Sequence, residues 1–268
     1  MPTIWEIIAE AKSRCSSGTE GFDNAKFLQD RADRENAEEG NLKGMDCRKC
    51  KNRGQISVVK DGELMWIMCD CMGVRKSLER IEKSGLKTVI EELRFDNFVT
   101  TEKWQENMFK LAKDYVNGGE KKWLFLGGNS GSGKTHLCTA VCGELLKREK
   151  AVRYMMWRDE SAKLKAVVND SAEYSRLIGE LKEIEVLYID DFLKVQRGQQ
   201  PTPADINLAF EILNYRYANR LQTIISSEKT LDDILSLDDA VGGRIYELAK
   251  GFGMSIAYDK NKNFRLRK

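Results

Sequence analysis

The residues Gly128-Asn129-Ser130-Gly131-Ser132-Gly133-Lys134-Thr135 satisfy G-x-x-x-x-G-K-[ST] at every fixed position. No other feature of the chain narrows its possible folds as much. The glycines let the backbone curl until several N–H groups point at one phosphate. Lys134 then sets a point charge on the β and γ oxygens, and the Thr135 hydroxyl is available to Mg2+. A helix beginning at Lys134 adds its positive dipole end. Such a loop works only between a strand and a helix, and both are legible. Lys121-Lys122-Trp123-Leu124-Phe125-Leu126 reads as the strand and Leu137 to Lys147 as an amphipathic helix. The expected ligand is Mg-ATP.

A nucleoside triphosphatase also needs a carboxylate at the end of a neighbouring strand. Val186-Leu187-Tyr188-Ile189-Asp190-Asp191 supplies two. Asp190 is expected to hold Mg2+ through water, and Asp191 to orient or activate the attacking water. Gln222-Thr223-Ile224-Ile225-Ser226-Ser227-Glu228 reads as the next central strand. Its polar end should lie beside the phosphates, so that Ser227 or Glu228 senses the γ-phosphate. Val241-Gly242-Gly243-Arg244-Ile245 places an arginine early in a helix, where it would reach a neighbour's nucleotide. On spacing alone, a solvated arginine is the better reading.

The rest of this region alternates regularly. Short apolar runs at Trp123–Leu126, Val152–Trp157, Val186–Ile189, Thr223–Ser226 and Met254–Tyr258 read as buried parallel strands. Helical segments fall between them, at Thr135–Lys147, Asp159–Val168, Ala172–Lys182, Ala204–Asn219 and Asp239–Lys250. This order specifies an α/β fold, a parallel sheet flanked by helices with right-handed crossovers. With 268 residues, 41% of them hydrophobic, the chain fills one core of ordinary size and a smaller appendage. No run reaches the roughly 18 apolar residues of a membrane span. No basic region precedes an apolar run at the N-terminus, so a cytoplasmic protein with no membrane partner is expected. A net charge of +2 neither demands nor excludes nucleic acid.

Seven cysteines without a secretory signal point to thiols rather than a disulfide framework. Cys47-x-x-Cys50 and Cys69-x-Cys71 form two close pairs with eighteen residues between them. Between the pairs Ile56, Val58, Leu64 and Trp66 flank Asp61-Gly62, a preferred two-residue turn. A hairpin there would bring four thiolates together as a closed, structural Zn2+ site in a small zinc-ribbon-like module. An iron–sulfur cluster is the competing metal reading. Cys138 and Cys142 lie one turn apart on the helix after the loop and read as core packing, and His136 as incidental.

The chain thus divides into an N-terminal helix and charged segment over 1–44, a zinc module with helical connector over 45–93, and the α/β domain over 94–268. Ile4, Trp5, Ile7, Ile8 and Ala11 give a short apolar helical face, read as a surface helix or as a docking helix for a partner. The charged run Asp30 to Glu39 reads as a solvated tail. Ser77 to Glu92 reads as a charged connector broken near Ser84-Gly85, closed by Arg94-Phe95-Asp96-Asn97-Phe98. Phe95 and Phe98 are candidates to line an adenine pocket.

Taken together, the four cysteines, Arg94–Phe98, the loop, Val186–Asp191, Thr223–Glu228 and Gly243-Arg244-Ile245 resemble the AAA+ replicative helicase loaders of the DnaC/DnaI type, from about Cys47 onward. Asn263-Phe264-Arg265-Leu266-Arg267-Lys268 follows closely on the last strand, which is similar to loaders lacking the C-terminal helical lid of most AAA+ proteins. The resemblance implies ATPase activity, with Arg244 as a trans-acting arginine finger and Arg265 as a second sensor. It implies an N-terminal domain that grips the hexameric replicative DNA helicase. It also implies ATPase domains that self-assemble side by side and touch single-stranded DNA. Asp191 stands where glutamate is common, which implies slow hydrolysis and switch-like use of ATP, and Glu228 where asparagine is frequent. A transposition helper ATPase of the IstB kind, working with a transposase on DNA, is the alternative. A nucleotide-binding module that regulates without turnover is a third reading. Lys194 and Arg197, ahead of Pro201-Thr202-Pro203, are candidate DNA contacts.

Overall fold

The computed structural model describes residues 23–83, 89–90, 92–196 and 198–266. The face Ile4–Ala11, Cys15, the break at Ser84-Gly85, Arg197, Arg267 and Lys268 lie outside the described residues. The chain divides into two compact units, between Met72 and Gly73.

In the first unit, helix α1 (Asn24–Ala37) starts at Asp23, whose side chain accepts from Lys26 N. The charged run read as a solvated tail is mostly this helix, and it is anchored by its polar side chains. Asn36 mimics a strand: its Oδ1 accepts from Ser57 N at 2.9 Å and its Nδ2 donates to Ser57 O at 2.8 Å. Ser57 Oγ and Trp66 Nε1 both donate to Glu35 Oε2, at 2.6 and 3.1 Å. These bonds hold the Glu35 carboxyl below the usual range. Most of the run is exposed, as a charged run should be, but its polar anchoring leaves no mark in apolar periodicity. The hairpin held by α1 is antiparallel, β1 (Gln55–Lys60) on β2 (Glu63–Met68), with Lys60 opposite Glu63. Asp61 (φ 52°) and Gly62 (φ 80°) both turn left-handed between them, as a type I′ turn requires.

Helix α2 (Cys71–Lys83) leads into the second unit. Among the described residues its sheet has five strands in the order β4-β5-β6-β3-β7, each pair parallel. They are β3 (Trp123–Gly128), β4 (Val152–Met156), β5 (Val186–Asp190), β6 (Gln222–Ser226) and β7 (Gly253–Ile256). Lys121 (φ 59°) bends the chain, so the first strand opens at Trp123 rather than two residues earlier. Alternate strand residues serve opposite faces. Trp123, Phe125, Leu187, Ile189 and Ile225 join one core cluster with α5 (Trp157–Ala166), α6 (Ser171–Glu183), α7 (Pro203–Ala218), α8 (Leu231–Leu237) and α9 (Asp239–Leu248). Leu124 and Leu126 are buried towards the other face, where α3 (Lys103–Gly118) packs beside α4 (Lys134–Lys147). Burial on both faces explains why the strands read as continuous apolar runs.

Helices α3 and α8 were not singled out from the sequence, yet each carries a capping box, Glu102 with Gln105 and Thr230 with Asp233. None of the helices among the described residues is long and apolar enough to cross a membrane.

Candidate nucleotide cleft and cysteine cluster

The loop after β3 is tied down from several sides. Gly128 N donates to Lys229 O, Asn129 N to Ile256 O and Phe264 N to Gly131 O, all at 2.9–3.0 Å. Asn129 Oδ1 accepts from Asp259 N at 3.1 Å. The segment after β7, two short 3-10 turns at Lys260–Lys262 and Phe264–Leu266, is therefore fastened to the phosphate loop itself. Gly128 has φ 93°, and a Cβ there would run into the Ile256 carbonyl; at Gly133 (φ 89°) it would strike the Phe98 ring. Lys134 heads α4 with only 6% of its surface exposed, and its Nζ donates to the carbonyls of Gly128 and Asn129 at 2.8 and 2.6 Å. Burial lowers its pKa, opposed by Glu228, Asp191, Cys138 and Asp190.

Because β6 lies between β3 and β5, three strand ends meet at one carboxyl edge of the sheet. Asp190 closes β5 and is buried. Its Oδ1 accepts from Thr135 Oγ1 at 3.1 Å and from Ser226 Oγ, and its Oδ2 from Tyr154 OH at 3.3 Å. Burial, then the Asp190 charge, raises the Tyr154 pKa. A hydroxyl and a carboxylate already joined across two elements form a donor set suited to one hard divalent cation. Asp191 (φ 53°) follows in left-handed backbone, its N–H donating to Ser226 Oγ at 3.2 Å and its Oδ2 accepting from Lys194 Nζ at 2.9 Å. Neither Ser226 nor Tyr154 was named from the sequence. A serine in one apolar strand and a tyrosine two strands away give no signal until the strand order is known.

Between the two candidate sensors the structure separates cleanly. Ser227 is fully buried; its Oγ donates to Phe192 O at 2.8 Å and accepts from Lys229 N at 3.1 Å. It faces the core, since the side chain after the strand's last residue continues the alternation inward. Glu228 faces the cleft and accepts from Ser130 Oγ at 2.9 Å and Lys194 Nζ at 3.1 Å. Burial would raise the Glu228 carboxyl, but those two bonds and the nearby lysines lower it. Lys194, named from the sequence as a candidate DNA contact, lines the cleft wall.

Residues 130–136, Asp190, Asp191, Lys194, Glu228, Phe98, Phe264 and Arg265 surround one open cleft of about 450 Å³. Phe98 lines it, but Phe95 does not: Phe95 is buried edge-on against Phe109 at 5.5 Å. His136, read as incidental, stands in the wall with its Nε2 2.8 Å from Arg94 O and its ring edge-on to Phe98 at 5.2 Å. Arg244 lies away from this cleft, on α9. Its Nε and Nη2 donate to Asn214 Oδ1 at 3.1 and 2.7 Å, and its guanidinium lies 4.6 Å from the Phe210 ring centre.

In the first unit the hairpin brings Cys47, Cys50, Cys69 and Cys71 together, all buried, with their sulfurs within 4.8 Å of one another. Cys47 faces Cys69 at 3.8 Å and Cys50 faces Cys71 at 3.5 Å. Gly54 N–H donates to Cys50 Sγ at 3.3 Å. Burial pushes the Cys50 thiol up, but Gly54 and the facing sulfurs outweigh it and bring it to about 7. Four sulfurs in one pocket with an N–H aimed at one of them suit a tetrahedral thiolate site.

The family described as IstB-like ATP binding protein matches residues 74–241. Phage-like element PBSX protein XkdC of Bacillus subtilis (strain 168) is 34% identical, over 81% of this chain and 85% of its own length. The replicative helicase loader DnaC of Escherichia coli (strain K12) is 25% identical, over 60% of this chain and 66% of its own. A crystal structure of the DnaC helicase loader superposes with a TM-score of 0.51 at 19% identity, covering 63% of this chain and 98% of that one. At that identity the superposition establishes the fold alone.

Proposed function

The chain belongs to the IstB-like ATP-binding protein family, and from its cleft, its four-cysteine unit and its likeness to a replicative helicase loader we propose that it is an ATP-driven loader which grips a hexameric replicative DNA helicase and helps seat it on single-stranded DNA. One observation carries the reading furthest. The loop Gly128–Thr135 and the acidic pair Asp190 and Asp191 share one cleft, while Arg244 stands outside it on α9. A site with its phosphate cradle in one place and its spare arginine elsewhere suits subunits that assemble side by side, each lending Arg244 to the next. The four-cysteine unit ahead of the ATPase unit and the likeness to a replicative helicase loader support the loader over other uses of this engine.

In this reading the N–H groups of residues 129–135 hold the phosphates, and Lys134 leaves the Gly128 and Asn129 carbonyls for the β and γ oxygens. Thr135 and Asp190 would hold Mg2+, which when bound neutralises charge between those phosphates. Asp191 takes the proton of the attacking water; Asp190, occupied by three hydroxyls, is poorly placed to do so. Glu228 serves as the γ-phosphate sensor, and Arg265 as a second one. Phe98 and His136 offer flat faces for the base. Cys47, Cys50, Cys69 and Cys71 would hold Zn2+, which supplies folding energy to a unit with little core of its own.

The test is isolation of the complex with a replicative hexamer in the presence of ATP, with a transposase on duplex DNA as the parallel arm. Stable capture of the hexamer, lost in Lys134→Ala, is expected. Capture of the transposase alone would replace the loader with a transposition helper, a reading favoured by the name of the matching family. Arg244→Ala should leave nucleotide affinity nearly intact and remove assembly-stimulated hydrolysis; unchanged stimulation would refute the arginine's role in trans.

A further inference from the structure

Resting on the nucleotide-cleft reading above, we propose that Lys194 is the residue by which this cleft tells a triphosphate from a diphosphate, a cation held by Asp191 and Glu228 and handed to the terminal phosphate. Asp191 (φ 53°) and Leu193 (φ 55°) both sit in the left-handed region that side chains other than glycine's avoid. Their strain is held by the core: Phe192 and Leu193 are fully buried, Phe192 N donates to Ser226 O at 2.8 Å, and Ser227 Oγ donates to Phe192 O. The product of this forced turn is the placing of Lys194. Its N–H donates to Asp191 O at 2.9 Å, and its side chain is sent back over the strand ends rather than out to solvent.

There Lys194 joins the two carboxylates that matter to a γ-phosphate. Nζ reaches Asp191 Oδ2 at 2.9 Å and Glu228 Oε1 at 3.1 Å, and that same Glu228 oxygen accepts from Ser130 of the phosphate loop at 2.9 Å. The side chain is about two-thirds covered, 36% exposed. Burial works against its charge, yet Asp191 and Glu228 keep it positive above the ordinary lysine range. Charge balance gives the linkage its use. Asp191 and Glu228 without a cation would repel an incoming terminal phosphate, and the one cation shared by them offsets half of that charge and offers the phosphate a donor. In phosphate-loop enzymes the loop N–H groups and the loop lysine span the β and γ phosphates, whereas the residue orienting the attacking water lies beside the γ phosphate alone. A group hydrogen-bonded to Asp191 therefore answers to the third phosphate and not to the second. Transfer of Nζ from Asp191 Oδ2 to a phosphate oxygen would free that carboxylate for water, so that recognition of ATP and release of the base are one movement.

The experiment is equilibrium titration of the full-length protein with a fluorescent non-hydrolysable ATP analogue and with the matching ADP, comparing wild type, Lys194→Met and Lys194→Arg. The expected result for Lys194→Met is about tenfold weaker binding of the triphosphate with diphosphate affinity changed by less than about twofold. Lys194→Arg should restore most of the discrimination, since it keeps the charge. Equal loss of both ligands, or no loss of either, overturns the proposal. A cooperative melting transition without ligand verifies that each variant folds, and Lys194→Arg keeps the charge that Lys194→Met removes. If the wild-type protein binds neither ligand, the nucleotide-cleft reading fails first, and that outcome is distinct from a variant that binds both equally well.

Discussion

At the scale of single residues, the cleft is made by strand ends: Asp190 closes β5, Ser226 closes β6, and their side chains meet at one edge of the sheet. The loop, Asp190 and Asp191 were legible because strand and helix frames on either side fix where such residues must stand. Ser227 and Glu228 were left as alternatives because adjacent positions at a strand end differ only in facing, which only the register of β6 decides. The place of Lys194 in the cleft wall was not legible because left-handed turns at non-glycine residues leave no sequence mark. Arg216 is the plainest case of a residue whose role is invisible in one dimension. It is fully buried, and its guanidinium donates to the carbonyls of Leu181, Lys182 and Ile184 at the end of α6, to Gln222 O and to Thr223 Oγ1. Burial lowers its pKa to about 9. The acceptors are orphan carbonyls of a helix terminus and the edge of a strand, so one planar fork with several N–H donors satisfies groups that water cannot reach. Arg216→Lys keeps the charge but offers a point rather than a fork. It should cost at least about 3 kcal/mol, read as the shift in a chemical denaturation midpoint, with several buried carbonyls left unpaired. A loss under about 1 kcal/mol would mean that the site relaxes around a lysine.

At the scale of elements, strands came through well and helices less evenly. The central strands β3, β5 and β6 were readable because burial on both faces writes an apolar run into the sequence, while the outer strands β4 and β7 are only partly buried. Helix α3 was missed because its buried positions Met108, Ala112, Tyr115 and Val116 are interleaved with lysines, and α1 because its anchoring is polar. Capping boxes were the available signal. That of α7 shows what such a device contributes: Thr202 Oγ1 accepts from Asp205 N, while Asp205 Oδ2 accepts from Thr202 N and Oγ1, and Lys165 binds the other oxygen at 2.7 Å. Burial would raise the Asp205 carboxyl, but Lys165 and Thr202 outweigh it and hold its pKa below the usual carboxylate value. A depressed pKa means a contribution fully present above the unfolded carboxylate range and lost as pH falls through the lower folded value. Wild type should therefore lose stability on acidification more steeply than Asp205→Asn. The variant should be the less stable at pH 7, and the gap should narrow below about pH 4. Parallel stability–pH curves for the two proteins would remove Asp205 from the account.

At the scale of the molecule, two units stabilise themselves by different means, and this yields a prediction neither unit gives alone. The larger unit has a sheet buried on both faces and a nucleotide cleft at its carboxyl edge. Among the described residues the smaller has a hairpin, one helix and four clustered sulfurs, and its second strand leaves Met65, Trp66, Ile67 and Met68 exposed, so apolar burial there contributes little. Its folding energy should then be metal-binding energy, whereas the stability of the larger unit should respond to ATP. Calorimetry of the full chain is expected to show two transitions. A strong chelator should abolish one and leave the other in place, and ATP with magnesium should raise only the survivor. At a ligand concentration of 100 times Kd the gain is about 2.7 kcal/mol. In a unit of this size that corresponds to a rise of roughly 5–10 °C. The order of additions matters, because chelation must be shown on the nucleotide-free protein, where magnesium removal changes nothing else. Restoring Zn2+ should bring the lost transition back, and the Cys47→Ser variant should lack it from the outset. A chelator that lowers both transitions together would mean that the two units fold as one, and the division of labour between metal and nucleotide would not hold.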